Sequence, residues 1–133
     1  MIHEHTLRVY YEDTDLAGVV YYANYLKYIE RARSEWVRAL GINQRRLKAD
    51  DGIVFAVRRL EADYMRAARF DDVLVIETRP VAITGARIVL DQTVLRDGAP
   101  IFEAQVTLVC VNEEGHAARL PAELRRKLTP ALH

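Results

Sequence analysis

The stretch Tyr10–Gly41, YYEDTDLAGVVYYANYLKYIERARSEWVRALG, decides the fold. Its second half places Tyr22, Tyr25, Leu26, Ile29, Ala32, Trp36, Val37 and Leu40 at the three-and-four spacing of one helical face. Asn24, Lys27, Arg31, Ser34, Glu35 and Arg38 fill the opposite face. Gly41 stands where helices commonly end on a residue at positive φ, so the spacing predicts a helix over about residues 22–40. Ahead of it, Glu12-Asp13-Thr14-Asp15 and Gly18 predict a tight turn. Such a turn sets a carboxylate beside a helix N-terminus, whose unpaired N–H groups and dipole favour developing negative charge. That pair can polarise a carbonyl and attack it. Asp13, Thr14 and Asp15 are also the residues of an ordinary capped turn, and the local sequence alone favours that plainer reading.

Working outward, Thr6–Tyr11 (TLRVYY) is a β-rich run that enters the turn and predicts strand one. After the helix, the polar stretch Ile42–Asp51 predicts a connection with a short helical turn, closed by Asp51-Gly52. The period then changes to two. Over Ile53–Tyr64 the even positions Val54, Ala56, Leu60, Ala62 and Tyr64 form an apolar row, interrupted by Arg58. Val73–Thr78 begins a further strand that continues past Pro80 to Ile83, and Pro80 requires an edge or a bulge there. Arg87–Leu95 and Ile101–Asn112 form a hairpin about Asp97-Gly98, with Phe102, Ala104, Val106, Leu108 and Cys110 on one face. Pro121, at a first helical position, introduces a short basic helix through about Leu128. The sum is an α+β arrangement: one long central helix buried by roughly five antiparallel strands. The long edges of such a sheet are usually paired or covered, so a homo-oligomer formed by continuing the sheet is expected.

With 133 residues, half of them hydrophobic, the chain has the material for one domain, expected to span residues 1–133. Nineteen basic and nineteen acidic residues cancel, which leaves no electrostatic footprint for nucleic acid or an anionic membrane surface. The N-terminal MIHEHTLRVYYEDTD carries no secretory pattern, and no apolar run is long enough to span a bilayer, so a cytoplasmic location is the default expectation. Cys110 is the single cysteine; it excludes an intrachain disulfide and sits in a strand pattern as a small core residue. His3, His5, His116 and His133 show no metal-ligand spacing, and neither a metal nor another cofactor is expected.

The residues Tyr11-x-x-Thr14-Asp15-x-x-Gly18-Val19-Val20-Tyr21-x-Ala23-Asn24-Tyr25, followed by Glu30-Arg31-Ala32-Arg33, resemble the hot-dog-fold acyl-CoA thioesterases. The nearest types are the YbgC, or Tol-Pal-associated, group and 4-hydroxybenzoyl-CoA thioesterase. The resemblance implies a helix wrapped by a curved antiparallel sheet, homodimers or homotetramers, and a metal-free active site at the dimer interface. It also implies an acyl-CoA substrate. The family's catalytic aspartate falls on Asp15, and its carbonyl-polarising backbone N–H falls on Tyr22. Tyr64 and Arg69-Phe70-Asp71-Asp72 match a later family stretch, with Ala67 where proline is usual. Many relatives carry histidine at the position of Tyr22, and Leu16-Ala17 replaces a small Ala-Gly pair. Gly85 and Arg87 lie where a cousin family contacts CoA, although the basic residues of that contact are not reproduced.

Thioester hydrolysis needs a base or nucleophile and an oxyanion stabiliser, because attack moves negative charge onto the carbonyl oxygen. Asp15 and the Tyr22 N–H supply the two parts, with Asp15 either attacking directly or activating water. A second reading is a calcium loop begun by Asp13, Asp15 and Gly18, which fails at Ala17 and Asn24, where further oxygen ligands are required. A third is a hot-dog protein that binds acyl-CoA or a partner without hydrolysis, against which Asp15 argues. The clustered tyrosines invite a base-stacking reading too, but their helical spacing fits packing better, as does Trp36. CoA brings phosphates, for which Arg58, Arg59, Arg66, Arg69 and Arg87 are the candidates beside ordinary solvated roles.

Overall fold

A computed structural model describes residues 2–132; His133, one of the four histidines considered above, lies outside them. The long helix, α1, runs Asn24–Ala39 and buries Tyr25, Tyr28, Ile29, Ala32, Trp36 and Val37. Leu26 and Leu40 pack half-buried at the border of this stripe. Tyr28, outside the predicted face, widens it by one position. Tyr22, placed on that face by its spacing, instead precedes the helix and is exposed. The helix starts late because the first bonds, Asn24 N–H to Tyr21 C=O and Leu26 N–H to Ala23 C=O, are tight i→i−3 bonds. Gly41, at φ 79°, closes the other end.

The sheet that receives α1 is antiparallel, in the order β1 (His3–Arg8), β3 (Val73–Ile83), β4 (Arg87–Arg96), β5 (Ala99–Val111), β2 (Val54–Tyr64). Alternation aims Leu74 and Ile76, Ile88, Leu90 and Val94, and the predicted row Phe102 to Cys110 at the helix, all buried. A polar tie crosses this core. Gln92 Nε2 donates to the Ile29 carbonyl and to Thr78 Oγ1, each at 2.9 Å, while its Oε1 accepts from Arg33 Nη1 at 2.9 Å. Burial lowers the Arg33 guanidinium from its ordinary range, and Glu30 opposes that shift.

Three strand readings change. Strand one occupies His3–Arg8 rather than Thr6–Tyr11. Local turn chemistry overrides the β-propensity of the tyrosines: Asp13 Oδ2 accepts from the Tyr10 N–H at 2.9 Å and closes a 3-10 turn over Tyr11–Asp13. In β2 the even row does not share one face. Phe55 and Val57 pair with Cys110 and Leu108, but beyond a bulge at Arg58 it is Leu60, Ala62 and Tyr64 that pair with Val106, Ala104 and Phe102. Val54 and Ala56 therefore lie on the outer face, and Arg58, the break in the pattern, marks the extra residue. In β3, Pro80 lies beyond the last β1 pair, His3–Thr78, and next to an irregularity before Ala82, so both accommodations expected of a strand proline occur together.

At the far end, α2 (Gln44–Asp51) is capped by Asn43, whose Oδ1 accepts from the Arg46 N–H at 3.0 Å. The last helix, α3, runs Ala122–Leu128 with Pro121 as its cap rather than its first residue. No helix among the described residues is long and apolar enough to cross a membrane.

Arg58→Ala should change stability by no more than about 0.5 kcal/mol in a denaturant titration, as at other exposed positions. Deletion of Arg58 should cost no more than about 2 kcal/mol, because Val57 and Arg59 already pair with the consecutive residues Leu108 and Thr107, so losing the extra residue keeps Phe55, Val57, Leu60, Ala62 and Tyr64 on one face. Cys110 is buried, and burial pushes its thiol up to about 11. The neutral thiol thus contributes stability that is present below the ordinary thiol range and lost as pH rises through about 11, and the Tyr25 and Tyr28 phenols, also raised by burial, act in the same sense. A thiol reagent at pH 8 should label Cys110 only at the rate of unfolding, and denaturant midpoints should fall on the alkaline side.

Candidate active site

The acidic turn is built from its own backbone. Thr14 and Val20 form an antiparallel bridge, the Asp15 N–H donates to the Val19 carbonyl at 2.9 Å, and the Gly18 N–H donates to the Asp15 carbonyl at 3.0 Å. Gly18 holds φ 82°, which an L side chain rarely adopts, so glycine is what lets the chain reverse so sharply. Asp15 Oδ1 accepts from the Ala17 N–H at 2.9 Å, and Oδ2 has no partner among the described residues. Asp15 is exposed, and Leu16 beside it projects fully into solvent.

The returning arm runs straight into α1. The Asp13 carbonyl accepts from the Tyr21 N–H and from Asn24 Nδ2, both at 2.9 Å, tying the turn to the helix start. Tyr64 Oη donates to the Tyr22 carbonyl at 2.9 Å. The Tyr22 N–H finds no acceptor among the described residues and stands at the positive end of α1. Asp15 and Tyr22 therefore occupy the two arms of one turn. Asn24, where a calcium loop would need a further ligand, spends its amide on the Asp13 carbonyl, and among the described residues no group of three or more His, Cys, Asp or Glu side chains is arranged for a metal.

Aromatic rings surround the helix start. Tyr64 meets Tyr25 at 5.4 Å, Phe102 at 4.9 Å and Tyr22 at 6.2 Å between ring centres, all edge to face. Beneath them, burial raises the Tyr28 phenol above its ordinary range; the nearby Asp13 carboxylate adds to the shift, although the buried hydroxyl makes no hydrogen bond of ordinary geometry.

The loop after β2 buttresses the turn. The Val20 N–H donates to the Ala68 carbonyl at 2.8 Å, and the Ala68 N–H donates to Tyr25 Oη at 2.9 Å. Ala67, the departure from the expected proline, is held through its carbonyl by Arg96 Nη1 at 2.7 Å, and the same nitrogen pairs with Asp72 at 3.0 Å. Hydrogen bonds from a neighbouring strand thus do what a proline ring would do. Arg66 and Arg69 sit exposed on this loop, whereas Arg59 is engaged by Glu61. Gly85 and Arg87 are not brought to this end. They stand at the β3–β4 hairpin, where the Gly85 carbonyl accepts from the Leu120 N–H, a full length of β3 away, on the order of 30 Å in the same subunit. Sequence reasoning missed the Asn24 amide and the Tyr64 hydroxyl. Asn24 carries a weak local signal, being a polar residue at a helix start; the Tyr64 contact spans 42 residues and has none.

Comparison with known proteins agrees with this architecture. The sequence model of the Thioesterase-like superfamily matches residues 9–128. The acyl-CoA thioesterase YbgC of Haemophilus influenzae is 42% identical over 106 residues, a span of 80% of this chain and 78% of that protein. A probable thioesterase from Bartonella henselae superposes with a TM-score of 0.87 at 40% identity, covering 91% of this chain and 100% of that one. A 4-hydroxybenzoyl-CoA thioesterase solved with 4-hydroxybenzoyl-CoA shares the fold, with a TM-score of 0.88 at 24% identity over 95% of this chain and 97% of that one. The sheet wrapped around α1 is the hot-dog fold, and the chain belongs to the thioesterase-like superfamily, in the family of the YbgC acyl-CoA thioesterases, as a thioester hydrolase.

Proposed function

We propose that this protein hydrolyses acyl-CoA thioesters with Asp15 as nucleophile or general base and the Tyr22 N–H as the oxyanion donor. The observation that carries the reading is the unpartnered Tyr22 N–H at the start of α1, on the arm of the turn facing an exposed Asp15 with one uncommitted carboxylate oxygen. Attack forms a bond from a carboxylate or water oxygen to the thioester carbon and moves an electron pair onto the carbonyl oxygen. The Tyr22 N–H and the helix dipole stabilise that charge in place. Collapse of the adduct breaks the C–S bond and releases CoA, protonated to its thiol. Water supplies the oxygen of the free acid, directly or by opening an acyl-Asp15 anhydride. Arg66 and Arg69 stand at this end of the subunit and suit the CoA phosphates; Arg87 in the same subunit does not reach them.

The active form in this reading is a homodimer joined along β2. Among the described residues that strand pairs only with β5 and presents an unpaired backbone edge, flanked by Val57 at 51% exposure, Tyr64 at 46% and Met65 at 46%. A second copy would cover these side chains and enclose the aromatic rings beside Tyr22.

Asp15→Asn keeps the shape and the bond to the Ala17 N–H but removes the charge, so kcat should fall by about a hundred- to ten-thousandfold with KM and Tm little changed. Released thiol measured over a panel of aliphatic and aromatic acyl-CoA substrates checks this, and full turnover by folded Asp15→Asn protein would end the assignment. Val57→Asp, which sets a charge on the β2 edge, should shift sedimentation toward the monomer mass and remove activity with it. A wild-type chain that stays monomeric and active at micromolar concentration would rule out the shared site.

A further inference from the structure

We propose that Tyr64 is a positioning residue for the oxyanion donor: by holding the Tyr22 carbonyl, its hydroxyl aims the Tyr22 N–H at the thioester oxygen. The proposal rests on the reading of Asp15 and Tyr22 given above. In a regular first turn the Tyr22 carbonyl would accept from the Leu26 N–H, four residues on. Here the Leu26 N–H goes to Ala23 at 3.1 Å, and the Tyr22 carbonyl falls outside the helical ladder. Tyr64 Oη takes its place as donor, from the last residue of a strand 42 positions away.

That bond completes a set. The peptide carrying the Tyr22 N–H is anchored through its carbonyl, that of Tyr21, by the Asn24 N–H at 2.8 Å. The next peptide is anchored through the Tyr22 carbonyl by Tyr64 at 2.9 Å. Fixing two successive peptide planes fixes φ and ψ at Tyr22, and with them the direction of its N–H. The direction matters because a hydrogen bond weakens steeply once its donor is misaligned.

The Tyr64 hydroxyl can serve as a fixed point because its ring is itself fixed. It is packed edge-on against Tyr25 and Phe102, and the bulge at Arg58 puts it on the helix-facing side of β2, opposite Phe102. Burial also raises the Tyr64 phenol above its ordinary range, in the direction that keeps the hydroxyl a donor.

Tyr64→Phe keeps the ring and its packing and removes only the hydroxyl. Loss of an oxyanion donor lowers kcat by about a hundred- to a thousandfold; a donor that is present but poorly aimed should lose less, about tenfold, with KM within about twofold and Tm unchanged. The direct readout is the infrared carbonyl stretch of an acyl-CoA thioester bound to Asp15→Asn protein, which reports how strongly that carbonyl is polarised. In the Asp15→Asn/Tyr64→Phe double variant the band should move back toward its frequency in solution. Wild-type kcat in Tyr64→Phe, or an unmoved band, overturns the positioning role while the collapse of Asp15→Asn leaves the hydrolytic reading standing. A parallel loss of kcat, affinity and Tm overturns it as well, since that pattern marks a purely structural contact. Retained turnover in Asp15→Asn removes the reading on which the proposal rests.

Discussion

Burial of one face of α1 against one face of a sheet is the constraint from which the rest of the subunit follows. The helix presents Tyr25, Tyr28, Ile29, Ala32, Trp36 and Val37, and β3, β4 and β5 answer with buried alternate residues of two-residue period. Gln92 converts this greasy contact into a registered one. An apolar residue in its place would let the helix slide or rotate at little loss, whereas its bonds to the Ile29 carbonyl, Thr78 and Arg33 are satisfied in one alignment only. Because the helix is fixed along its length, its N-terminus is fixed in space, and the reactive turn inherits that position.

The large elements were legible because each rests on a periodic signal. The central helix, the hairpin at Asp97-Gly98 and the inward row Phe102 to Cys110 all follow from spacing and turn chemistry. What misled was local competition. Tyr10 and Tyr11 have strand propensity, but Asp13 recruits the Tyr10 N–H and bends the chain first. Tyr22 has helical spacing, yet the helix begins two residues later because its first bonds are short ones. In β2 the pattern held the answer: a single arginine in an apolar row is where the extra residue sits.

The site was legible to a different degree. Asp15 and Tyr22 were nameable only through a family signature; no property of an acidic turn separates a reactive carboxylate from a capping one. The supports of the site lie beyond any local pattern, because Tyr64, Ala68 and Arg96 reach the turn and its loop from segments remote in sequence. Gly85 and Arg87 illustrate the converse, in which positions carried over by likeness fall at the opposite end of the subunit from the turn.

The two borders of the sheet are unequal, and the inequality limits growth. On one side β2 offers 11 residues of open edge; on the other β1 offers 6, and among them are His3, Glu4, His5 and Arg8. When like meets like across a two-fold axis, each copy consumes the other's long edge in the same event, and nothing equivalent remains to recruit a third. The short, polar border opposite is a poor template for an incoming strand. In the proposed dimer joined along β2, the asymmetry of the two borders would close assembly at the first encounter and leave no equivalent edge from which a fibre could propagate.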